Sequence, residues 1–290
     1  MPNDYQLVQL ANGQKTLFSA GYGEKMHPGL GPAAEAELLY VQQLNIGERL
    51  QRSPVEFVIW DVGLGAAANA IAALRFTREI AGELRIVSFD NTSEPLEFAL
   101  KNSDALGYVA GYEKPIADLL RDRRAKFPNG KLDVTWEFHL GDFPDFLKSQ
   151  NSKSKSQTPP PHAIFYDAFS PAKNPAMWTL PVFENLFQAL EPARPCALTT
   201  YTRSTMIRAT LLLAGFFVGA GQATGLKEET TIAANSLELI RKPLDGRWLE
   251  RAARSDSAEP LHGPVYSRAS IAQEALEKLR RHSQFSKGQA

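Results

Sequence analysis

Apolar positions along the chain change period twice. YQLVQL and QKTLFS alternate apolar and polar residues on either side of Ala11-Asn12-Gly13, and Asn-Gly between two such runs predicts a β-hairpin. A Gly/Pro-rich stretch, SAGYGEKMHPGLGP, follows. AAEAELLYVQQLNI then sets Leu38, Leu39, Val41 and Leu44 at helical spacing.

From Val55 the pattern becomes an alternation of strand and helix. EFVIWDV, ELRIVSFD, LDVTWEFHL, HAIFYDAF and PCALTTY are compact apolar runs. Helical segments separate them at Ala66 to Ile80, near Pro95 to Leu106, from GDFPDFLKS, and in PAMWTLPVFENLFQAL. After the helix RSTMIRATLLLAG, FFVGAGQA and TIAANSLELI follow with only TGLKEET between them. Repeated strand–helix units imply an α/β fold with a mostly parallel sheet covered by helices on both faces. The final pair implies one antiparallel strand near an edge. Seven strands, the last arriving by hairpin, is the expected arrangement. No internal repeat interrupts it. QNSKSKSQTPPPH, residues 150–162, is Ser-, Lys- and Pro-rich and predicts a mobile loop inside the domain, because the alternation resumes after it.

Composition narrows the class. The 290 residues are 43% hydrophobic and 22% charged, ordinary for a globular chain. Lys plus Arg equals Asp plus Glu at 32 each, so net charge gives no sign of a polyanionic partner. A single cysteine, Cys196 in the apolar PCALTTY, excludes an internal disulfide framework and a multi-cysteine zinc site. The five histidines show no metal-ligand spacing, and no Gly-x-Ser-x-Gly elbow is present, so metal-dependent and acyl-transfer chemistry are disfavoured. MPNDYQLVQLANGQ lacks a basic region followed by an apolar one, and no stretch approaches the roughly 18 apolar residues of a membrane span. A soluble, cytoplasmic protein is the expectation.

Candidate chemistry begins where the first strand of the alternation ends, at Asp61-Val62-Gly63-Leu64-Gly65-Ala66-Ala67-Ala68-Asn69. Glycine after a buried strand permits a tight turn and close approach of a ligand, and the helix that follows offers free N–H groups. That pattern alone also fits a nicotinamide dinucleotide. Three carboxylates at successive strand ends change the balance: Asp61 before the glycines, Asp90 ending the second strand, Asp142 after the third. An acid at Asp61 sits poorly beside a pyrophosphate but suits S-adenosylmethionine, whose ammonium and sulfonium groups are cationic. Asp90 is then the candidate for the ribose hydroxyls and Asp142 for the adenine amino group. Capping or solvated roles are the structural alternatives.

YDAFSPAKNPAMW, residues 166–178, resembles the methyltransferase domain of the bifunctional enzyme that completes 5-methylaminomethyl-2-thiouridine at the tRNA wobble position, the MnmC family. Asp167, Phe169, Pro171, Ala172, Lys173, Asn174, Pro175, Met177 and Trp178 match its motif in register, and Gly63, Gly65 and Asn69 match its glycine turn. The likeness spans roughly residues 16–240. It implies a Rossmann-like, class I S-adenosylmethionine-dependent fold and methylation of an exocyclic amine on a modified uridine of tRNA. It also implies a stand-alone form without the flavin-dependent half, with a separate flavin-dependent enzyme as a conceivable partner. The domain reading is then 1–50 as hairpin, loop and helix packing on the catalytic domain, 51–243 as that domain, and 244–290 as a helical tail. Two departures stand out: Ala67 replaces the third glycine, and Glu228-Glu229 put acids where the family tends to carry basic residues. The segment GYGEKMHPGLGPAAEAELLYV is also reminiscent of spermidine synthase-like proteins, and within it Glu35 is a further candidate cofactor ligand.

Amine methylation needs a neutral nitrogen held in line with the departing sulfur, so positioning and a place for the amine proton are the enzyme's main contributions. Asp167, ending the fourth strand, is the candidate to orient the amine and accept its proton, with helix capping as the alternative. Pro171 and Pro175 stiffen the loop. Phe169 and Trp178 are candidates for a wall against a flat base, with core packing the equal alternative for Trp178. Lys173 is a candidate phosphate contact, and Asn174 completes the candidate acceptor site. A small amine or polyamine as acceptor, a dehydrogenase, and a non-catalytic nucleoside-binding module are the competing readings.

Overall fold

The Asn12-Gly13 turn forms as its dipeptide predicts in the computed structural model, which describes residues 4–152, 158–224 and 228–286. Gly13 takes φ +81°, the left-handed conformation glycine adopts without a Cβ penalty, and its N–H donates to the Leu10 carbonyl. β1 (Tyr5–Gln9) and β2 (Lys15–Ser19) pair antiparallel from Tyr5↔Ser19 to Gln9↔Lys15. A short β3 (Glu24–Lys25) extends this sheet from β2. The helical pattern after it resolves into a helix over Pro32–Ala36 and a wider π-helical turn over Glu37–Gln42. Leu39, Val41 and Leu44 are buried, while Leu38 is half-buried.

The chain divides into two compact units, one drawn from Met1–Phe143, Pro161–Phe169 and Gln222–Glu228, the other from Pro144–Pro160, Ser170–Gly221 and Glu229–Ala290. In the first, β4 (Phe57–Val62), β5 (Gly82–Asp90), β6 (Arg124–Asn129), β7 (Leu132–Leu140) and β8 (Ala163–Tyr166) lie in the order β8-β4-β5-β7-β6. β8, β4, β5 and β7 are parallel. All six positions of β4 and all four of β8 are buried, as expected of strands covered on both faces. The helix Ala68–Thr77 buries nearly its whole circumference; its alanines permit that close approach.

β6 is the strand that the apolar pattern did not announce, bringing the α/β series to eight strands among the described residues instead of seven. RAKFPN alternates polar and apolar residues over only its first four positions and contains Pro128, which is tolerated because β6 is an edge strand, antiparallel to β7. Its turn repeats the chemistry of the first hairpin, with Gly130 at φ +65°. Asn129 braces it, donating from Nδ2 to the Leu74 carbonyl at 2.7 Å and accepting from the Tyr112 hydroxyl at 3.2 Å.

In the second unit, β9 (Ala197–Thr200), β10 (Phe217–Gly221) and β11 (Thr230–Ala234) form an antiparallel set in the order β9-β11-β10. Cys196 is buried at the start of β9. The buried Arg208 guanidinium donates to Thr231 Oγ1, the Thr230 carbonyl and Glu229 Oε1 at 3.0, 2.8 and 2.9 Å. The C-terminal segment packs through Trp248, buried and capped by Asp245, and through Gln284, whose amide bonds Val218 on both backbone groups. The tail is therefore part of the packed structure, with helices at Gly246–Ala253 and Gln273–Arg281. The expected mobile loop 150–162 falls partly on residues 153–157, and the link Gly225-Leu226-Lys227 wholly, outside the described residues. Among the described residues no helix is long and apolar enough to cross a membrane. The architecture is mixed α/β with a mostly parallel sheet flanked by helices, as the alternation predicted.

Candidate active site

The glycine turn after β4 is wound through three left-handed residues: Gly63 at φ +92°, Gly65 at +50° and Ala67 at +63°. Ala67, the departure from a third glycine, adopts the glycine-like conformation anyway and is fully buried. An L-residue there costs about 1–2 kcal/mol, which the surrounding packing sustains. The Gly63 and Leu64 N–H groups both donate to the Phe89 carbonyl, at 2.9 and 3.0 Å, so the turn is tied to the end of β5. Gly63 must be glycine for a second reason. A Cβ on it would lie 2.7 Å from the Asp167 carbonyl oxygen, because the chain leaving β8 crosses directly against the turn.

The acids differ sharply in environment. Asp61, on β4, is completely buried. Its Oδ2 accepts from the Ser88 hydroxyl at 2.8 Å, and that hydroxyl oxygen in turn accepts from Trp136 Nε1 at 3.0 Å. Its Oδ1 is buried with no hydrogen-bond partner among the described residues. Burial, moderated by Ser88 and reinforced by the charges of Asp167 and Asp90, pushes its carboxyl up to about 8. A buried carboxylate with an orphaned oxygen is costly alone, and a cationic ligand relieves that cost. Of the three acids expected at the strand ends, Asp61 is the one that lies wholly in the interior.

Asp90 is half-buried, and desolvation raises its carboxyl above the ordinary range despite N–H donors from Gly65, Thr92 and Asn91. The Gly65 N–H donates to its Oδ2 at 2.9 Å, so this acid also braces the turn. Asp142 is exposed, one residue beyond Gly141, whose N–H donates to the Asp90 carbonyl at 2.8 Å. Asp61 and Asp90 stand at the C-terminal ends of β4 and β5, and Asp142 lies two residues past β7; these are three adjacent strands of one sheet, and this is the edge at which open parallel sheets bind ligands.

Asp167 follows β8, and its side chain is 18% exposed. Asn69 donates from Nδ2 to Asp167 Oδ2 at 2.8 Å, while Asn69 Oδ1 is another buried atom without a partner among the described residues. Phe169 is half-buried and stacks on Tyr22, with ring centroids 4.0 Å apart and planes 16° from parallel. Glu35 accepts from the Gly29 and Leu30 N–H groups, bracing the loop that leads into its own helix. Two residues without a motif in the sequence enter here. His27, at φ +50°, places Nε2 3.7 Å from Asp167 Oδ2 and Nδ1 4.0 Å from Glu35 Oε2. Tyr22 supplies the second ring of the aromatic pair. The Met-His-Pro and Gly-Tyr-Gly sequences held the residues, but nothing in their spacing tied them to a strand end more than 100 positions away.

The remaining candidates lie in the second unit. Lys173 is exposed and Pro171 and Asn174 are half-buried, in a turn closed by Lys173 and Asn174 N–H bonds to the Ser170 carbonyl. Trp178 is corrected: it is fully buried, with Phe183 and Tyr201 rings at 6.3 and 6.1 Å, and has no exposed face for a base.

Residues 117–236 match the model of a family described as S-adenosyl-L-methionine-dependent methyltransferase. The chain is 26% identical to the tRNA 5-methylaminomethyl-2-thiouridine biosynthesis bifunctional protein MnmC of Pseudoalteromonas atlantica over 85% of its length. It is likewise 26% identical to that of Aeromonas hydrophila over 92%. It spans only 36% and 41% of those two proteins' own lengths. Among solved structures, MnmC2 from Aquifex aeolicus superposes with a TM-score of 0.67 at 24% identity, over 95% of this chain and 82% of that one. Spermidine synthase from Thermotoga maritima does so at 0.51 and 11% identity, over 95% of this chain and 83% of that one. The chain is thus similar in sequence to MnmC proteins over most of its length and shares the fold of MnmC2, and its residues 117–236 match the S-adenosyl-L-methionine-dependent methyltransferase family.

Proposed function

We propose that this chain transfers a methyl group from S-adenosyl-L-methionine to an amine, the aminomethyl group of a modified wobble uridine in tRNA. The observation that carries the donor half is the buried Asp61 carboxylate with its unpartnered Oδ1, beside a turn held open by Gly63 and Gly65. Such a group suits a cation and disfavours a pyrophosphate. Asp61 and Asn69 would hold the aminoacid end of the donor, Asp90 the ribose and Asp142 the adenine. When bound, the donor supplies an electrophilic methyl group, whose bonding pair stays with sulfur as the amine lone pair forms the new N–C bond.

Asp167 would hold the amine. Among the described residues its side-chain contacts fall on Oδ2, which leaves Oδ1 for a ligand, and the Tyr22–Phe169 pair offers an aromatic surface for a base. The acceptor's identity draws support from the similarity to MnmC proteins, which serve tRNA 5-methylaminomethyl-2-thiouridine biosynthesis. Glu229, an acid that could otherwise attract a polyamine, is engaged by Arg208, which weighs against a polyamine acceptor. Calorimetric titration with S-adenosyl-L-methionine and NADH tests the donor; binding of NADH alone would make the protein a dehydrogenase. Labelled methyl transfer to undermodified tRNA, compared with spermidine and other free amines, tests the acceptor.

A further inference from the structure

Three features of the fold place the His27 ring. Its backbone is held at φ +50°, ahead of Pro28, a conformation a non-glycine residue occupies only when its surroundings impose it. On one side, Met26 is tied to β2: its N–H donates to the Leu17 carbonyl at 2.8 Å and its own carbonyl accepts from the Thr16 hydroxyl. On the other, Glu35 Oε1 collects the Gly29 and Leu30 N–H groups. The Met26 sulfur lies 3.5 Å from where a Cβ on Gly65 would stand, so this loop packs against the glycine turn. The ring, 13% exposed, then stands between two carboxylates, Glu35 at Nδ1 and Asp167 at Nε2.

At 3.7 and 4.0 Å these are ion-pair distances beyond hydrogen-bond reach, so a neutral imidazole gains little from either carboxylate whereas the imidazolium is attracted by both. The arrangement suits a ring that gains a proton during turnover. The acceptor supplies one. An alkyl ammonium comparable to lysine is neutral in only about one molecule in a thousand at pH 7, and only the neutral form has a lone pair.

We propose that His27 stores the proton the acceptor amine must shed, acting through Asp167; this rests on the methyl-transfer reading above. One N–H bond of the bound ammonium breaks and its electron pair stays on nitrogen. The proton passes to Asp167 and on to His27 Nε2, leaving a neutral amine, a restored Asp167 carboxylate and an imidazolium flanked by Glu35 and Asp167. The product departs as a secondary ammonium with its own two hydrogens, and the stored proton returns to solvent. Among the described residues, Glu35 and Asp167 are the charged groups within 4.0 Å of the ring, and Asp61 lies in the field of Asp167.

His27→Asn tests this, since asparagine tolerates the left-handed backbone and does not titrate here, and His27→Gln is a second variant of greater length. Both should bind S-adenosyl-L-methionine as the wild type does by calorimetry. Methyl transfer to tRNA bearing a 5-aminomethyl uridine should fall about 100-fold at pH 7. That deficit should shrink about tenfold for each pH unit above 7, as the amine sheds its proton to solvent. A readout free of donor comes from histidine-ring NMR of the wild type, with His27→Asn identifying one signal among the five histidines. Adding the unmethylated tRNA should move that signal to the imidazolium position. A deficit that does not vary with pH, no deficit, or a ring that stays neutral with acceptor bound each overturns the proposal. A wild type that binds no donor or methylates no tRNA removes instead the methyl-transfer reading on which it stands.

Discussion

Asn69 and Asp167, 98 positions apart, share a hydrogen bond of 2.8 Å from Nδ2 to Oδ2. It joins the helix after the glycine turn to the residue that follows β8. A change at the proposed donor site is thereby felt at the proposed acceptor site, and the two residues should be separable by kinetics.

Asp167→Asn keeps the size of the side chain and removes its charge. Turnover should fall about 100-fold or more while donor affinity stays within a few-fold. Asn69→Ala should lower turnover by a smaller factor and weaken donor binding as well, because it also removes the orphaned Oδ1. Equal losses of turnover and donor affinity in Asp167→Asn would make Asp167 a donor ligand.

Asp61 sets a pH dependence whose sign follows from its burial. The group ionises near its ordinary 3.8 when unfolded and at about 8 in the ligand-free fold. The folded state therefore holds the extra proton between those values. Its contribution to stability is full below pH 4 and is lost as pH rises toward 8, at about 1.4 kcal/mol per unit. Thermal unfolding of ligand-free Asp61→Asn should be less sensitive to pH across that window than the wild type. Donor binding should run the opposite way, strengthening up to about tenfold per unit towards pH 8 and releasing a proton, because a cation favours the carboxylate. Calorimetry in two buffers of different ionisation heat reads the proton directly.

The two glycines of the turn should differ in tolerance. Gly63→Ala sets a Cβ 2.7 Å from the Asp167 carbonyl oxygen in addition to its positive φ, so the backbone that carries Asp167 must shift. A loss of more than about 2 kcal/mol is expected, together with turnover. Gly65→Ala meets only ordinary van der Waals contacts, the nearest being the Met26 sulfur at 3.5 Å, and should cost about 1–2 kcal/mol from its backbone conformation alone. Urea unfolding of the two variants decides it.

The aromatic residues of the loop should part company in the same way. Phe169→Ala should leave the fold intact and raise KM for tRNA about 10- to 100-fold, the worth of one stacked base. Trp178→Ala, which empties a fully buried site, should instead destabilise the protein by about 3–5 kcal/mol. Denaturation midpoints beside KM values distinguish the two roles.

Local pattern was enough to recover the strand–helix series, the first hairpin and the glycine turn, because each is written in neighbouring residues: alternation, Asn-Gly, and small residues after a buried strand. The order of acids along the sheet edge followed from the parallel topology that this series implies. β6 escaped because an edge strand with one proline needs no strong alternation, although Asn129-Gly130 marked its turn.

What tertiary structure alone decided is which polar groups meet and how deeply each is buried. Asp61 and Asp142 are both strand-end acids in the sequence, yet one is wholly enclosed and the other exposed, because Asp61 lies within the buried β4 and Asp142 in the turn beyond β7. Tyr22 and His27 reach Phe169 and Asp167 only through the folding back of the N-terminal loop. Trp178 sits within the same recognisable motif as those two residues but fills the interior, since a motif preserves packing and chemistry alike and its spacing does not separate them.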